Sequence, residues 1–212
     1  MFHGSLPGVQ RALVLRHGTS TWNAEGRWQG WLDAPLTAEG EAQAAARGRE
    51  LAHAGIVPRA IYSSDLSRAA RTAEIIAAHL EVPVVPDAGL RERNGGEWQG
   101  RTRAEIETGW PGMREAWRRG ELTAPPGGED DAQLLARVDA ALTRAIEHVG
   151  RNTLVVVTHH GVVRALVRRT GLDRSALIPN LGGYWFDECD KQLVDPEPIG
   201  DLVAEPEEPT VE

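Results

Sequence analysis

Two nearly unbroken apolar runs stand out along the chain. Ala12-Leu13-Val14-Leu15 ends in Arg16-His17-Gly18, and Leu154-Val155-Val156-Val157 ends in Thr158-His159-His160-Gly161. Short apolar runs that stop abruptly at polar residues predict buried strands. Between them, apolar positions recur with helical spacing. Thr37 predicts the cap of a helix running through Glu41, Ala45, Gly48 and Leu51 to about Ala54, ended by Gly55. A second helix is expected over Leu66 to Leu80, with Ala69, Thr72, Ala73, Ile76 and Leu80 inward, and a third over Asp131 to Val149, with Leu134, Leu135, Val138, Leu142 and Ile146 on one side. Ala60-Ile61-Tyr62 and Val82 to Val85 read as short strands, Val162 to about Thr170 as a helix, and Tyr184 to Phe186 as an edge strand.

Two stretches break the pattern. Thr19 to Pro35 is a polar, Trp-rich loop. Arg93 to Pro126 carries Gly, Trp, Arg and Glu without a long apolar run. It predicts short helices near Arg103–Thr108 and Met113–Arg119 in an excursion over the sheet edge, closed by Pro125-Pro126-Gly127-Gly128. Strands alternating with helices predict a three-layer α/β/α sandwich with a mostly parallel central sheet. The expected organisation is a catalytic domain over residues 1–194, with a cap excursion at about 93–126. An acidic Pro/Glu-rich tail, 195–212, is expected to be flexible.

Composition narrows the function classes. The chain has 212 residues and a formal charge of −8. Ten acidic residues and one lysine lie between Asp187 and Glu212, so the remainder sits near +1. No arginine-rich stripe suggests a nucleic-acid partner. No apolar stretch has membrane-spanning length, and no cationic segment followed by a long apolar run suggests a signal peptide. A cytoplasmic location is the expectation. Cys189 is the single cysteine, which excludes an intramolecular disulfide and a Cys-based zinc site. The chain has no Gly-Lys-Ser/Thr phosphate loop and no G-x-G-x-x-G after a strand.

Ligands in open α/β sheets bind outside the carboxyl ends of the strands, so two strands that each end in His can bring two imidazoles to one cleft. Phosphoryl transfer needs an in-line nucleophile, cationic donors for the phosphoryl oxygens and a proton donor for the leaving oxygen. His17 is the candidate nucleophile. Arg16 precedes it, Gly18 allows close backbone approach, and Thr19, Ser20 and Thr21 add donors. His159 is the second imidazole; His160 leaves open which ring faces the cleft. Adjacent side chains on a strand point to opposite faces, which argues against a metal held by this pair. Arg68 follows Ser63-Ser64-Asp65-Leu66-Ser67 at a helix start aimed at the carboxyl edge, although an exposed helix arginine is the plainer reading. Glu92, between Arg91 and Arg93, reads by itself as a surface ion-pair residue. The seven tryptophans either wall a leaving-group pocket or hold irregular segments to the sheet; the second reading is preferred.

These residues resemble the histidine phosphatase, or phosphoglycerate-mutase-like, superfamily over roughly Arg11 to Asn180. Arg16-His17-Gly18 with Trp22-Asn23 is similar to its opening motif, and Gly26 to Thr37 to its phosphate-loop continuation. Ser63 to Ala69 with Thr72-Ala73 resembles its second arginine motif, and Leu90-Arg91-Glu92 with Gly96 to Gly100 its acid motif. Pro126-Gly127-Gly128-Glu129 and Thr158 to Arg164 complete six ordered matches. The resemblance implies a phosphohistidine at His17. Arg16, Arg68 and His159 would hold the phosphoryl oxygens, and Glu92 would protonate the leaving oxygen and then activate water. Asn23, Gln29, Gly30 and His160 are the expected substrate-binding residues. No cofactor or metal is implied. The implied partner is a small phosphorylated metabolite, and the expected state is monomer or homodimer. Thr19 stands where many relatives carry Glu, and His160 where many carry Gly. Glu92-Arg93-Asn94-Gly95 lacks the tyrosine of mutase acid motifs, and the excursion is compact, so a phosphatase is favoured. The basic cap residues Arg103, Arg118 and Arg119 keep a cofactor-dependent phosphoglycerate mutase as the alternative. A non-catalytic phospholigand-binding module is the third reading.

Overall fold

The computed structural model describes residues 11–172 and 178–199. Strands β1 (Arg11–Arg16), β2 (Ile61–Ser63), β3 (Val84–Pro86), β4 (Leu154–Thr158), β5 (Gly183–Cys189) and β6 (Gln192–Pro198) form one sheet in the order β3-β2-β4-β1-β5-β6. The pairs β3-β2, β2-β4 and β4-β1 are parallel; β1-β5 and β5-β6 are antiparallel. The helices are α1 (Thr21–Ala24), α2 (Ala38–His53), α3 (Ser67–Leu80), α4 (Arg103–Gly109), α5 (Met113–Arg118), α6 (Asp131–Val149) and α7 (His160–Arg169).

Side chains alternate across a strand, and here the alternation builds two cores. Leu13, Leu15, Val155 and Val157 face one side, where Leu51 of α2 and Ala69, Ala73 and Ile76 of α3 cover them. Ala12, Val14, Leu154 and Val156 face the other, under Leu134, Val138 and Leu142 of α6 and Val162, Val163 and Leu166 of α7. Helices on both faces explain why the two strand sequences are apolar throughout rather than alternating. Each fully buried Val or Leu contributes about 1.5–3 kcal/mol, so these central strands anchor whatever their ends carry.

The helices stop and start for local reasons. The Thr37 side chain accepts from Gly40 N at 3.0 Å and caps α2. Asp130 and Gln133 form a reciprocal capping box at the start of α6. Three expectations need correction. The segment Tyr184–Phe186 lies inside β5, between β1 and β6, and is not at the sheet edge. The sequence predicts the tail from Asp195, but Asp195–Pro198 belong to β6, one of the two edge strands; residues 200–212 of that expectation lie outside the described residues. Edge strands tolerate proline, which has no ladder donor to lose, and so Pro196 and Pro198 fit there. Helix α7 begins at His160, two residues earlier than expected, so His160 leads a helix and does not extend a strand. Among the described residues, no helix is long and apolar enough to cross a membrane.

Candidate active site

Sheet register places the two histidines together. Arg16 pairs with Thr158 across β1 and β4, and the ladder continues one step as His17 N–H donates to the Thr158 carbonyl at 2.9 Å. The next side chains on the two strands are His17 and His159. Their ring centroids stand 5.1 Å apart with planes at 64°. His159 is the residue before α7, and His160 opens the helix.

His17 is 3% exposed and its Nδ1 lies 2.7 Å from the Gly18 carbonyl oxygen. A carbonyl only accepts, so Nδ1 carries the proton and Nε2 keeps its lone pair. Burial, then the charges of Arg68 and Arg16, hold the His17 pKa well below the ordinary histidine value. The ring is therefore neutral at neutral pH, as a nitrogen nucleophile must be. His159 is completely buried, and burial followed by the Arg68 charge lowers its pKa in the same way. Neither of its ring nitrogens has a hydrogen-bond partner among the described residues. A buried polar side chain without a partner beside a cleft points to a ligand contact.

Arg68 corrects the plainer reading of its position: it is 0% exposed. It donates from Nη2 to the Gly30 carbonyl at 2.7 Å and from Nη1 to the Leu32 carbonyl at 3.0 Å. The loop that lies 36–38 residues before it in sequence thus orients its fork. Burial lowers its pKa to about 10, against the pull of Glu92 and Asp33, so it stays cationic at neutral pH. Arg16 is held by Nη1 donating to the Ile178 carbonyl at 2.6 Å. Glu92 is half-buried, not a free surface group. Its Oε1 accepts from Arg93 N at 2.7 Å and its Oε2 from Gly161 N at 3.0 Å. A Cβ at Gly161 would lie 2.2 Å from Glu92 Oε1, so only glycine leaves the carboxylate this place.

Arg16, His17, Arg68, Glu92 and His160 line one cleft of about 780 Å³ together with Asn23, Gln29 and Gly30. His159 backs His17 behind this lining. Ser20 links two of the polar residues, since its hydroxyl lies 2.9 Å from both Asn23 Oδ1 and Gln29 Oε1. Burial, opposed by the Glu92 charge, lowers the His160 pKa. The outer wall holds residues that sequence reasoning did not single out, chiefly Arg27, Arg114, Arg164 and Arg168. Arg164 and Arg168 are one helical turn apart on α7, a spacing that puts them on one face. Trp28 and Trp117 also line the cleft, and both meet the fully buried Trp98 edge-on, at 5.4 and 6.1 Å. These tryptophans wall the pocket and also hold the cap to the body. No group of three or more His, Cys, Asp or Glu suited to a metal ion occurs among the described residues.

The family model of the histidine phosphatase superfamily, branch 1, matches residues 12–179, and the chain belongs to that superfamily. It is similar to a glucosyl-3-phosphoglycerate phosphatase of Mycolicibacterium vanbaalenii, at 38% identity over 74% of this chain and 72% of the relative. It is also similar to a 2,3-bisphosphoglycerate-dependent phosphoglycerate mutase of Methylobacterium sp., at 39% identity over 75% of this chain and 80% of the relative. The structure of a mycobacterial glucosyl-3-phosphoglycerate phosphatase in complex with VO3 superimposes with a TM-score of 0.76. The identity is 30%, over 89% of this chain and 97% of that one. The fold and family are those of the histidine phosphatase superfamily, whose phosphatases and mutases both resemble this chain.

Proposed function

We infer that the chain hydrolyses phosphomonoesters through a phosphohistidine on His17. Nε2 of the neutral ring attacks phosphorus, the N–P bond forms, and the bond from phosphorus to the leaving oxygen breaks. Glu92, protonated at this stage, gives its proton to that oxygen. In the second step the Glu92 carboxylate takes a proton from water, the water oxygen attacks phosphorus, the N–P bond breaks, and phosphate departs with His17 neutral again. Arg16 and Arg68, which line the cleft, donate to the phosphoryl oxygens throughout, where charge grows most in the transition state. His159, behind His17 with both ring nitrogens unpartnered among the described residues, is the third donor in this reading. Asn23, Gln29, Gly30 and His160 border the leaving group. No step calls for a metal or an organic cofactor. The observation that carries this reading is the His17 Nδ1–Gly18 hydrogen bond, which leaves Nε2 free near the buried guanidinium of Arg68 and the half-buried one of Arg16.

The substrate in this reading is a phosphorylated metabolite whose leaving group bears a second negative charge, as in a phosphorylated sugar acid. What supports it is the outer cleft. Arg114 and Arg164 line it with no hydrogen-bond or ion-pair partner within range among the described residues, next to the indoles of Trp28 and Trp117. A phosphoglycerate glycoside, the compound class named for the mycobacterial relatives, has both a carboxylate and a sugar face to offer.

Phosphate release across a panel of phosphomonoesters tests this. A carboxylate on an arginine is worth about 1.5–3 kcal/mol, so kcat/KM should favour carboxylate-bearing substrates over neutral ones by about tenfold or more. His17→Ala should abolish release. Unchanged hydrolysis by His17→Ala would end the catalytic assignment. Interconversion of 2- and 3-phosphoglycerate that needs a bisphosphoglycerate primer and outpaces phosphate release would establish the mutase instead. Tight binding with no turnover would leave a phospholigand-binding module.

A further inference from the structure

Arg137, on α6, takes no part in the cleft lining, yet its guanidinium is almost fully used. Nη1 donates to the carbonyl of Gly89 at 2.9 Å and to that of Arg91 at 2.7 Å, and Nη2 donates to the carbonyl of Glu92 at 2.7 Å. The other edge pairs with Glu129, Nε to Oε1 and Nη2 to Oε2, both at 2.7 Å. Both partners are largely covered, with side chains 19% and 12% exposed. Glu129 is itself fixed at the far end of the same loop: its Oε2 accepts from Asn94 N at 3.1 Å, and its N–H donates to the Asn94 carbonyl at 2.9 Å. A third group closes the frame. The Trp31 indole N–H donates to the Glu92 carbonyl at 2.6 Å, and the guanidinium carbons of Arg91 and Arg137 lie 5.4 and 5.7 Å from the centroid of the Trp31 ring.

The bonds from Arg137, Trp31 and Glu129 to this segment all grip main chain, and the chain they grip is the turn from Gly89 to Asn94. That turn has no ladder bonds to fix it, since β3 ends at Pro86 and only 3-10 turns follow. Glu92 carries the proton in the reading above, and a general acid is effective only when held within hydrogen-bond reach of the leaving oxygen. A displacement of about 1 Å can cost two orders of magnitude. A single planar donor that spans three carbonyls is suited to this task, and lysine could not reproduce it.

We propose that Arg137, braced by Glu129, is a positioning residue that holds the Glu92 turn so that the carboxyl group meets the leaving oxygen. The proposal rests on Glu92 being the proton donor, and its test must separate the two. The measurement is kcat/KM for a series of phosphomonoesters with leaving groups from p-nitrophenol to simple alcohols. The ratio kcat/KM reports the step in which the leaving oxygen departs. p-Nitrophenolate leaves without a proton, whereas an alkoxide needs one.

Glu92→Gln should therefore lose about 100-fold or more on alkyl phosphates and far less on p-nitrophenyl phosphate, given the usual contribution of a general acid. Arg137→Met should show the same inclined pattern, with a loss of about tenfold or more on alkyl phosphates and under about threefold on p-nitrophenyl phosphate. Arg137→Lys should fall between Arg137→Met and the parent. Activity on p-nitrophenyl phosphate doubles as the measure of folded enzyme. If Arg137→Met fails to accumulate, Arg137→Lys and Glu129→Gln carry the test, and each should steepen the leaving-group dependence. An equal loss on every substrate, or none, overturns the positioning role while Glu92→Gln still discriminates. If Glu92→Gln itself shows no leaving-group dependence, the proton-donor reading fails and the positioning role fails with it.

Discussion

The proton on His17 Nδ1 is fixed by a main-chain carbonyl, and the charge state of the ring is set by its neighbours. Both follow from residues that sequence inspection could name, yet only one was legible there. Arg16-His17-Gly18 advertises itself at a strand end. Arg68 does not, because the carbonyls that satisfy it belong to Gly30 and Leu32 in a remote loop. Glu92 by itself looks like a surface ion-pair residue between two arginines; the motif resemblance marks it as the acid, and the approach of Gly161 shows how the fold holds its carboxylate. The electrostatics give a signed prediction. Burial and Arg68 lower the His17 pKa, so the nucleophile stays neutral below pH 6.5 and the acid limb of kcat/KM should lie below that value. Arg68→Gln removes the largest lowering charge. It should move the limb upward toward 6.5 and cut kcat/KM by about 100-fold, as loss of an oxyanion donor does. A pH-rate profile of the two proteins checks both statements; an acid limb unmoved in Arg68→Gln would show that the guanidinium does not act on His17.

At the scale of elements, the amphipathic helices and the two central strands were readable because each carries its own period. Helix α6 spans the expected residues, and α2 starts and ends within a residue of expectation. Strand β6 was not readable. Asp195-Pro196-Glu197-Pro198 has the composition of a tail, and only Leu193 and Pro196 turn inward. Its pairing partner β5, with Arg11 donating to Glu197 at 2.7 Å, supplies what local sequence lacks. The placement of the loop after His17 also depends on α2, whose start lies against it. The start of α2 packs backbone against backbone there: a Cβ on Gly40 would lie 2.1 Å from the Thr19 carbonyl oxygen. Gly40→Ala has no flexible neighbour to push aside. It should destabilise the protein by about 1–3 kcal/mol, the usual penalty for overpacking, and lower activity in proportion. Urea unfolding measures the loss; a variant as stable as the parent would mean that α2 and the loop separate easily.

For the whole molecule, the site sits where β1 has a parallel neighbour, β4, on one side and an antiparallel one, β5, on the other. The two imidazoles lie at the carboxyl end of the parallel pair, where open α/β sheets bind ligands. Alternation of strand and helix foretold this layering, whereas the identity of the outer wall, from α5 and α7, needed the tertiary structure. Burying two neutral imidazoles has a cost in acid. Their folded pKa values are depressed, so below about pH 6.5 the unfolded chain binds more protons than the folded one. Stability should fall with pH from about 6.5 downward, by up to about 1.4 kcal/mol per pH unit for each ring, and His17→Gln should flatten the slope. Unfolding free energies between about pH 7.5 and 5 test this; equal slopes in both proteins would contradict it. The most direct test of the account is rapid acid-free quenching of the enzyme with labelled phosphomonoester, followed by mapping of the label. The account predicts a base-stable, acid-labile phosphoryl group on His17 that forms and decays at catalytically competent rates and is absent from His17→Ala. Label on another residue, or turnover with no phosphoenzyme under conditions that trap it, would contradict it.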